Sequence, residues 1–221
     1  MSASAETLPI VAPEQNQAIG AFANRENFEL AQRMATALSK SSLVPEAYRD
    51  NVPNCLIVLE MANRIGCSPL MAAQNLDIIN GRPSWRSTFI IASINSCGRF
   101  SPLRFKLDGD GMNRKCTAGA IEKATGEYLE GPEVSMAMAK AEGWYDRNGS
   151  KWKTMPELML RYRAAAFFGR LYAPEMLLGM QSAEEVGDII DVTPVHIEQT
   201  TGVAGAKALL SDPPAATETA S

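Results

Sequence analysis

Three arginines interrupt one strongly apolar stretch of this chain. Between 151 and 185 it reads Lys-Trp-Lys-Thr-Met-Pro-Glu-Leu-Met-Leu-Arg-Tyr-Arg-Ala-Ala-Ala-Phe-Phe-Gly-Arg-Leu-Tyr-Ala-Pro-Glu, then Met-Leu-Leu-Gly-Met-Gln-Ser-Ala-Glu-Glu. In a helix at about 100° per residue, Arg163 and Arg170 fall on nearly one stripe, and Arg161 points to another side. A guanidinium is seldom buried without a partner, so Arg163 and Arg170 should face an anion. Two anions fit. One is a carboxylate such as Glu184 or Glu185, in a structural salt bridge. The other is a row of phosphates, whose oxygens match the guanidinium fork. Lys151 and Lys153, just before the helix, extend the same wall, with Trp152 between them read as core.

Other cations are placed in pairs. Arg82 and Arg86 flank Trp85 beside an Asn80-Gly81 turn, and Trp85 either packs in the core or stacks on a base. Arg104 and Lys106 alternate with apolar residues and share a strand face, which Arg114 and Lys115 extend from the next strand; a solvated outer face is the plain alternative. The whole chain carries a formal charge of −4, which argues against a polyanion partner, but the charge is segregated. Between Arg82 and Arg170 there are fifteen Lys/Arg and nine Asp/Glu, against six and sixteen in the remainder. A basic middle between acidic flanks suits a polyanion site.

Catalytic patterns are missing from the sequence. There is no Walker-type loop, and Asp108-Gly109-Asp110-Gly111 lacks the further ligands and terminal Glu of a calcium loop. The single histidine, His196, has no nucleophile near it in sequence. The four cysteines, Cys55, Cys67, Cys97 and Cys116, are scattered without a Cys-x-x-Cys pair, so no metal site is expected. No cofactor is expected either. Reduced cysteines, no apolar run near the ~20 residues of a membrane span, and no signal-peptide pattern at the N-terminus lead to the expectation of a cytoplasmic protein.

The elements that would position these residues are mostly helices. Asn24 or Asn27 can cap a helix to Ser39; a second runs over 54–65 and ends at Gly66; a third starts at Ser68-Pro69. Extended pieces at 77–79 and 82–85 around Asn80-Gly81 form a hairpin signal. A helix over 87–97 follows, then three strand candidates at 103–107, 114–122 and 127–129 that should form an antiparallel meander. A small helix within 132–143 and a polar loop to 153 lead to the long helix. Thr154 is its expected cap, Pro156 lies in its first turn, and Pro174 should end it after about five turns. The expected architecture is α+β, a small antiparallel sheet packed on helices including one long central helix. Residues 1–23 should be disordered, 24–192 the core domain, and 193–221 a flexible tail.

Several of these pieces together resemble one family. Ser-Lys-Trp-Lys-Thr-Met-Pro-Glu at 150–157, Arg161-Tyr-Arg-Ala-Ala, Tyr172-Ala-Pro-Glu and Gly179-Met-Gln-Ser-Ala-Glu-Glu-Val are similar to the C-terminal signature of the RecT family of phage and prophage single-strand DNA annealing proteins. Ile78-Ile-Asn-Gly-Arg-Pro-Ser-Trp, Ser96-Cys-Gly-Arg-Phe and Arg114-Lys-Cys extend the likeness over roughly 25–190. The resemblance implies ATP-independent annealing without catalysis. It also implies rings or helical filaments of this chain with single-stranded DNA and annealed duplex in a basic groove, a phage exonuclease partner and a host single-strand binding protein. The fold expected from it is that of single-strand annealing proteins. The alternative is a binder that protects single strands without annealing them.

Overall fold

The computed structural model describes residues 20–189. The expected tail at 193–221 and residues 1–19 of the expected disordered segment lie outside the described residues. Residues 20–23 form a turn tied down by the Ala21 N–H, which donates to Glu60 Oε2 at 2.9 Å.

The N-terminal third is helical. α1, Arg25–Ser39, is capped by Asn24, whose side chain accepts from the Asn27 N–H. α2, Val52–Ile65, starts two residues before the expected position because Asn51 caps it and Pro53 fits its first turn. It ends at Gly66, whose φ of 68° is left-handed. α3, Pro69–Asn75, follows. Between α1 and α2, Tyr48 is buried and its hydroxyl donates to the Leu76 carbonyl at 2.6 Å, which pins the connection to the next element.

That element is a two-stranded ribbon, β1 Leu76–Ile79 with β2 Arg82–Trp85. Asn80 and Gly81 both have positive φ, which gives the turn the twist that antiparallel strands need. α4, Ser87–Ser96, leads into the second sheet. There β3 Arg104–Asp108, β4 Lys115–Ile121 and β5 Tyr128–Glu130 form the expected meander, and a short β6, Val134–Ser135, also pairs with β4. Cys116, Ala118 and Ala120 of β4 are buried on one face, with Phe105, Leu107 and Leu129 packed beside them.

α5, Met136–Ala141, and α6, Lys151–Thr154, precede the central helix α7, Pro156–Tyr172. Thr154 does not cap α7. It lies in the last turn of α6, while an N-cap needs extended backbone, and Met155 takes the junction without a side-chain bond. Pro174 ends α7 as expected and opens α8, Pro174–Leu177. α7 packs on both β4 and α4, burying Leu160, Ala164, Ala165 and Phe168. The strand end comes so close that a Cβ on Gly131 would sit 3.2 Å from the Phe168 side chain.

The chain has a further helix that its periodicity did not announce, α9 at Ala183–Ile189. Ser182 caps it: its Oγ accepts from the Glu185 N–H at 3.2 Å, and Glu185 Oε2 accepts from the Ser182 N–H at 2.9 Å. This reciprocal box seats α9 against β1 and β2, where the Trp85 N–H donates to the Gln181 carbonyl. The observed class is α+β, with small antiparallel sheets and many helices. Among the described residues no single helix is long and apolar enough to cross a membrane.

Candidate nucleic-acid interface

The β1–β2 ribbon, the loop leading into α6 and one face of α9 enclose an open cleft of about 530 Å3. Asp77, Ile79 and Arg86 line it from the ribbon side, Arg147, Ser150 and Lys151 from the loop, and Glu184 and Asp188 from α9. Arg86 is held by Asp77 through two bonds, Nε to Oδ2 at 3.0 Å and Nη2 to Oδ1 at 2.9 Å, which keep its guanidinium firmly protonated. Among the described residues, Arg147 and Lys151 make no ion pair. Arg82, opposite Ile79 at the ribbon tip, is exposed and makes none among the described residues either. Lys153 lies over the Tyr145 ring, 5.7 Å from its centroid, with its Nζ near the Asp146 carbonyl.

The sheet sorts its cations into two kinds. Arg104 and Lys106 project from the open face of β3, exposed and, among the described residues, without ion pairs. Arg114 instead binds Glu157 at 2.7 Å, and Lys115 binds Glu133 at 2.9 Å, a contact that raises the Lys115 pKa. Arg161 shares Glu157 at 3.5 Å. These three cations are partly neutralised before any ligand arrives.

Of the two arginines expected to form one wall of an open groove, Arg163 is turned inward, while Arg170 is exposed but bound to a carboxylate. Arg163 is 4% exposed. Its guanidinium carbon sits 3.8 Å from the centroid of the Trp144 ring, its Nη2 donates to Asp188 Oδ2 at 2.5 Å, and its Nη1 lies 3.8 Å from Glu185 Oε1. Burial lowers the Arg163 pKa and raises that of Asp188, while the two charges and the Trp152 indole N–H, which donates to the same carboxylate at 2.9 Å, act the other way. Arg170 donates to Glu185 as well. The anions these arginines face are therefore the carboxylates of α9, and the carboxylate alternative describes this conformation. For Arg163 the physical reason is burial: a guanidinium enclosed by two tryptophans requires a fixed counter-charge. Trp85 is likewise a core residue, fully buried and stacked on Phe89 with ring centroids 4.6 Å apart, and offers no face to a base.

Arg147 was not singled out by spacing, since it lies in a polar loop with no periodic neighbour. The α9 carboxylates were hidden differently: Ser182-Ala-Glu-Glu is a legible capping box, but only seven residues follow its cap in the helix. Among the described residues no cluster of His, Cys, Asp and Glu could hold a metal ion. Comparison with protein-family models, with curated proteins and with solved structures found no match.

Proposed function

We propose that this chain binds single-stranded DNA by its phosphates and anneals complementary strands without ATP, as a homo-oligomer. The observation that carries this reading is the placement of cations that make no ion pair among the described residues: Arg147 and Lys151 in the cleft, Arg147 within the field of Asp188, Arg82 at the ribbon tip, and Arg104 and Lys106 on the open sheet. Cations already matched by carboxylates are buried or braced, so those left over are available to an external polyanion. Backbone contacts of this type hold a strand regardless of sequence and leave base edges free to pair. The RecT-like motifs support the same reading and add the ring or filament, the phage exonuclease and the host single-strand binding protein as proposed partners.

The test mixes purified protein with complementary labelled oligonucleotides in the absence of nucleotide. Accelerated duplex formation is the expected result. Binding without acceleration would favour strand protection instead, and no binding would overturn the proposal.

A further inference from the structure

The open face of the β3–β4–β5 sheet contains an aromatic residue that none of the charge patterns pointed to. Tyr128 is 53% exposed, and it pairs across the ladder with Ile121, itself 46% exposed. Its phenol end lies across β4: a Cβ on Gly119 would fall 2.5 Å from Tyr128 Cζ and closer still to the hydroxyl oxygen. Gly119 is buried although it has no side chain and belongs to the outward-facing set of β4. The ring needs that glycine, because any side chain at 119 would lift it off the strand. On the far side of Gly119, in the β3–β4 ladder, stands Arg104, with Lys106 two residues further along β3. Among the described residues neither makes an ion pair. The acids of this face are Glu130 on β5, which accepts from the Thr117 hydroxyl, and Asp108 at the end of β3 away from Arg104, paired in register with Lys115.

The face is thus graded across about 10 Å, two inter-strand spacings: cations along β3, a glycine floor on β4, an aromatic ring over it from β5. We infer that Tyr128 is a stacking platform for a base of a single strand whose phosphates run along Arg104 and Lys106. Glu130 on β5 and Asp108 at the end of β3 repel phosphate, so the strand lies with its backbone over Arg104 and Lys106 and one base turned over Gly119. Base–aromatic stacking is sequence-tolerant, since every base presents a π-face. The inference rests on the single-strand reading of the protein and adds to it a contact that senses bases and not only charge.

The experiment compares two ligands of equal length and charge, an oligo-dT and its abasic counterpart, against the full chain, Tyr128→Ala, Tyr128→Trp and Gly119→Val. Tyr128→Ala should weaken oligo-dT binding about 5- to 150-fold and leave the abasic strand unchanged. Tyr128→Trp should retain oligo-dT affinity, and Gly119→Val should lose it by displacing the ring. A 5-iodouracil strand irradiated on the wild-type protein should cross-link at Tyr128, a readout that needs no variant to fold. Equal affinity of wild type and Tyr128→Ala for oligo-dT, or equal losses on both ligands, overturns the platform alone. Failure of the wild-type protein to bind either ligand overturns the functional reading as well.

Discussion

Replacing Arg163 separates a structural arginine from a DNA-binding one. The side chain is 4% exposed, and it holds two carboxylates whose other partners are Trp152 and Arg170. Arg163→Ala leaves Asp188 and Glu185 with reduced compensation in a site closed by Trp144 and Trp152. Removing one partner of a buried pair costs about 3–5 kcal/mol. For a domain of this size each kcal/mol lowers the thermal midpoint by roughly 2–4 °C, so the expected drop is about 6–20 °C. Arg170→Ala should cost far less, about 1 kcal/mol or under, because that side chain is 38% exposed and Glu185 keeps Arg163 nearby. Arg163→Met with Asp188→Asn should recover part of the loss, since it removes both charges and the amide oxygen can still accept from Trp152. The assay is paired: thermal unfolding of each variant, and oligonucleotide affinity measured well below its midpoint. A midpoint for Arg163→Ala unchanged from wild type, with affinity lost, would refute the inward assignment and return this arginine to the phosphate groove.

Other expectations follow from the same placement. If Lys151 touches a phosphate, Lys151→Ala should weaken binding to all sequences alike and reduce the slope of log affinity against log salt by about 0.7; an unchanged slope would remove it from the interface. Removing residues 193–221 should leave the thermal midpoint intact because α9 is retained, whereas ending the chain at 181 removes Glu184, Glu185 and Asp188 and should unfold it; circular dichroism melts compare the two. Burial pushes the Cys116 thiol up to about 11, so at neutral pH it stays protonated, and iodoacetamide should modify it only after denaturant is added, as mass spectrometry can follow.

The local elements were legible where chemistry is local. Asn80-Gly81 specified the ribbon turn, Gly66 a helix end, Pro156 and Pro174 the limits of the central helix, and the alternation around Cys116, Ala118 and Ala120 the central strand. The helical periodicity also placed Arg163 and Arg170 on one stripe, but it could not say which anion that stripe meets. Helical phase is a property of one segment, whereas the partner is supplied by another, here α9. The same limit explains Trp85, whose basic neighbours suggested a ligand while its ring packs under Phe89. Arg147 and Tyr128 escaped notice because each acquires meaning only from across a loop or a ladder.

The carboxylates of α9 bear on how the chain is made. Glu184 accepts from both the N–H and the hydroxyl of Ser87, capping a helix whose sequence begins 97 residues earlier, and Ser182 bridges to Trp85 at the edge of the ribbon. A ribosome releases the chain from its N-terminus at about 5–20 residues per second, so the ribbon, α4 and the whole of α7 emerge before their closing piece. Until Glu185 and Asp188 have left the exit tunnel, Arg163 lacks its two counter-charges and cannot be enclosed by Trp144 and Trp152. Its guanidinium then holds that seam open to water, and the apolar face of α7 is completed only after α9 has emerged. A nascent chain arrested short of residue 188 should consequently remain protease-sensitive and chaperone-bound, while one arrested far enough beyond it should close within the ordinary folding time of a domain.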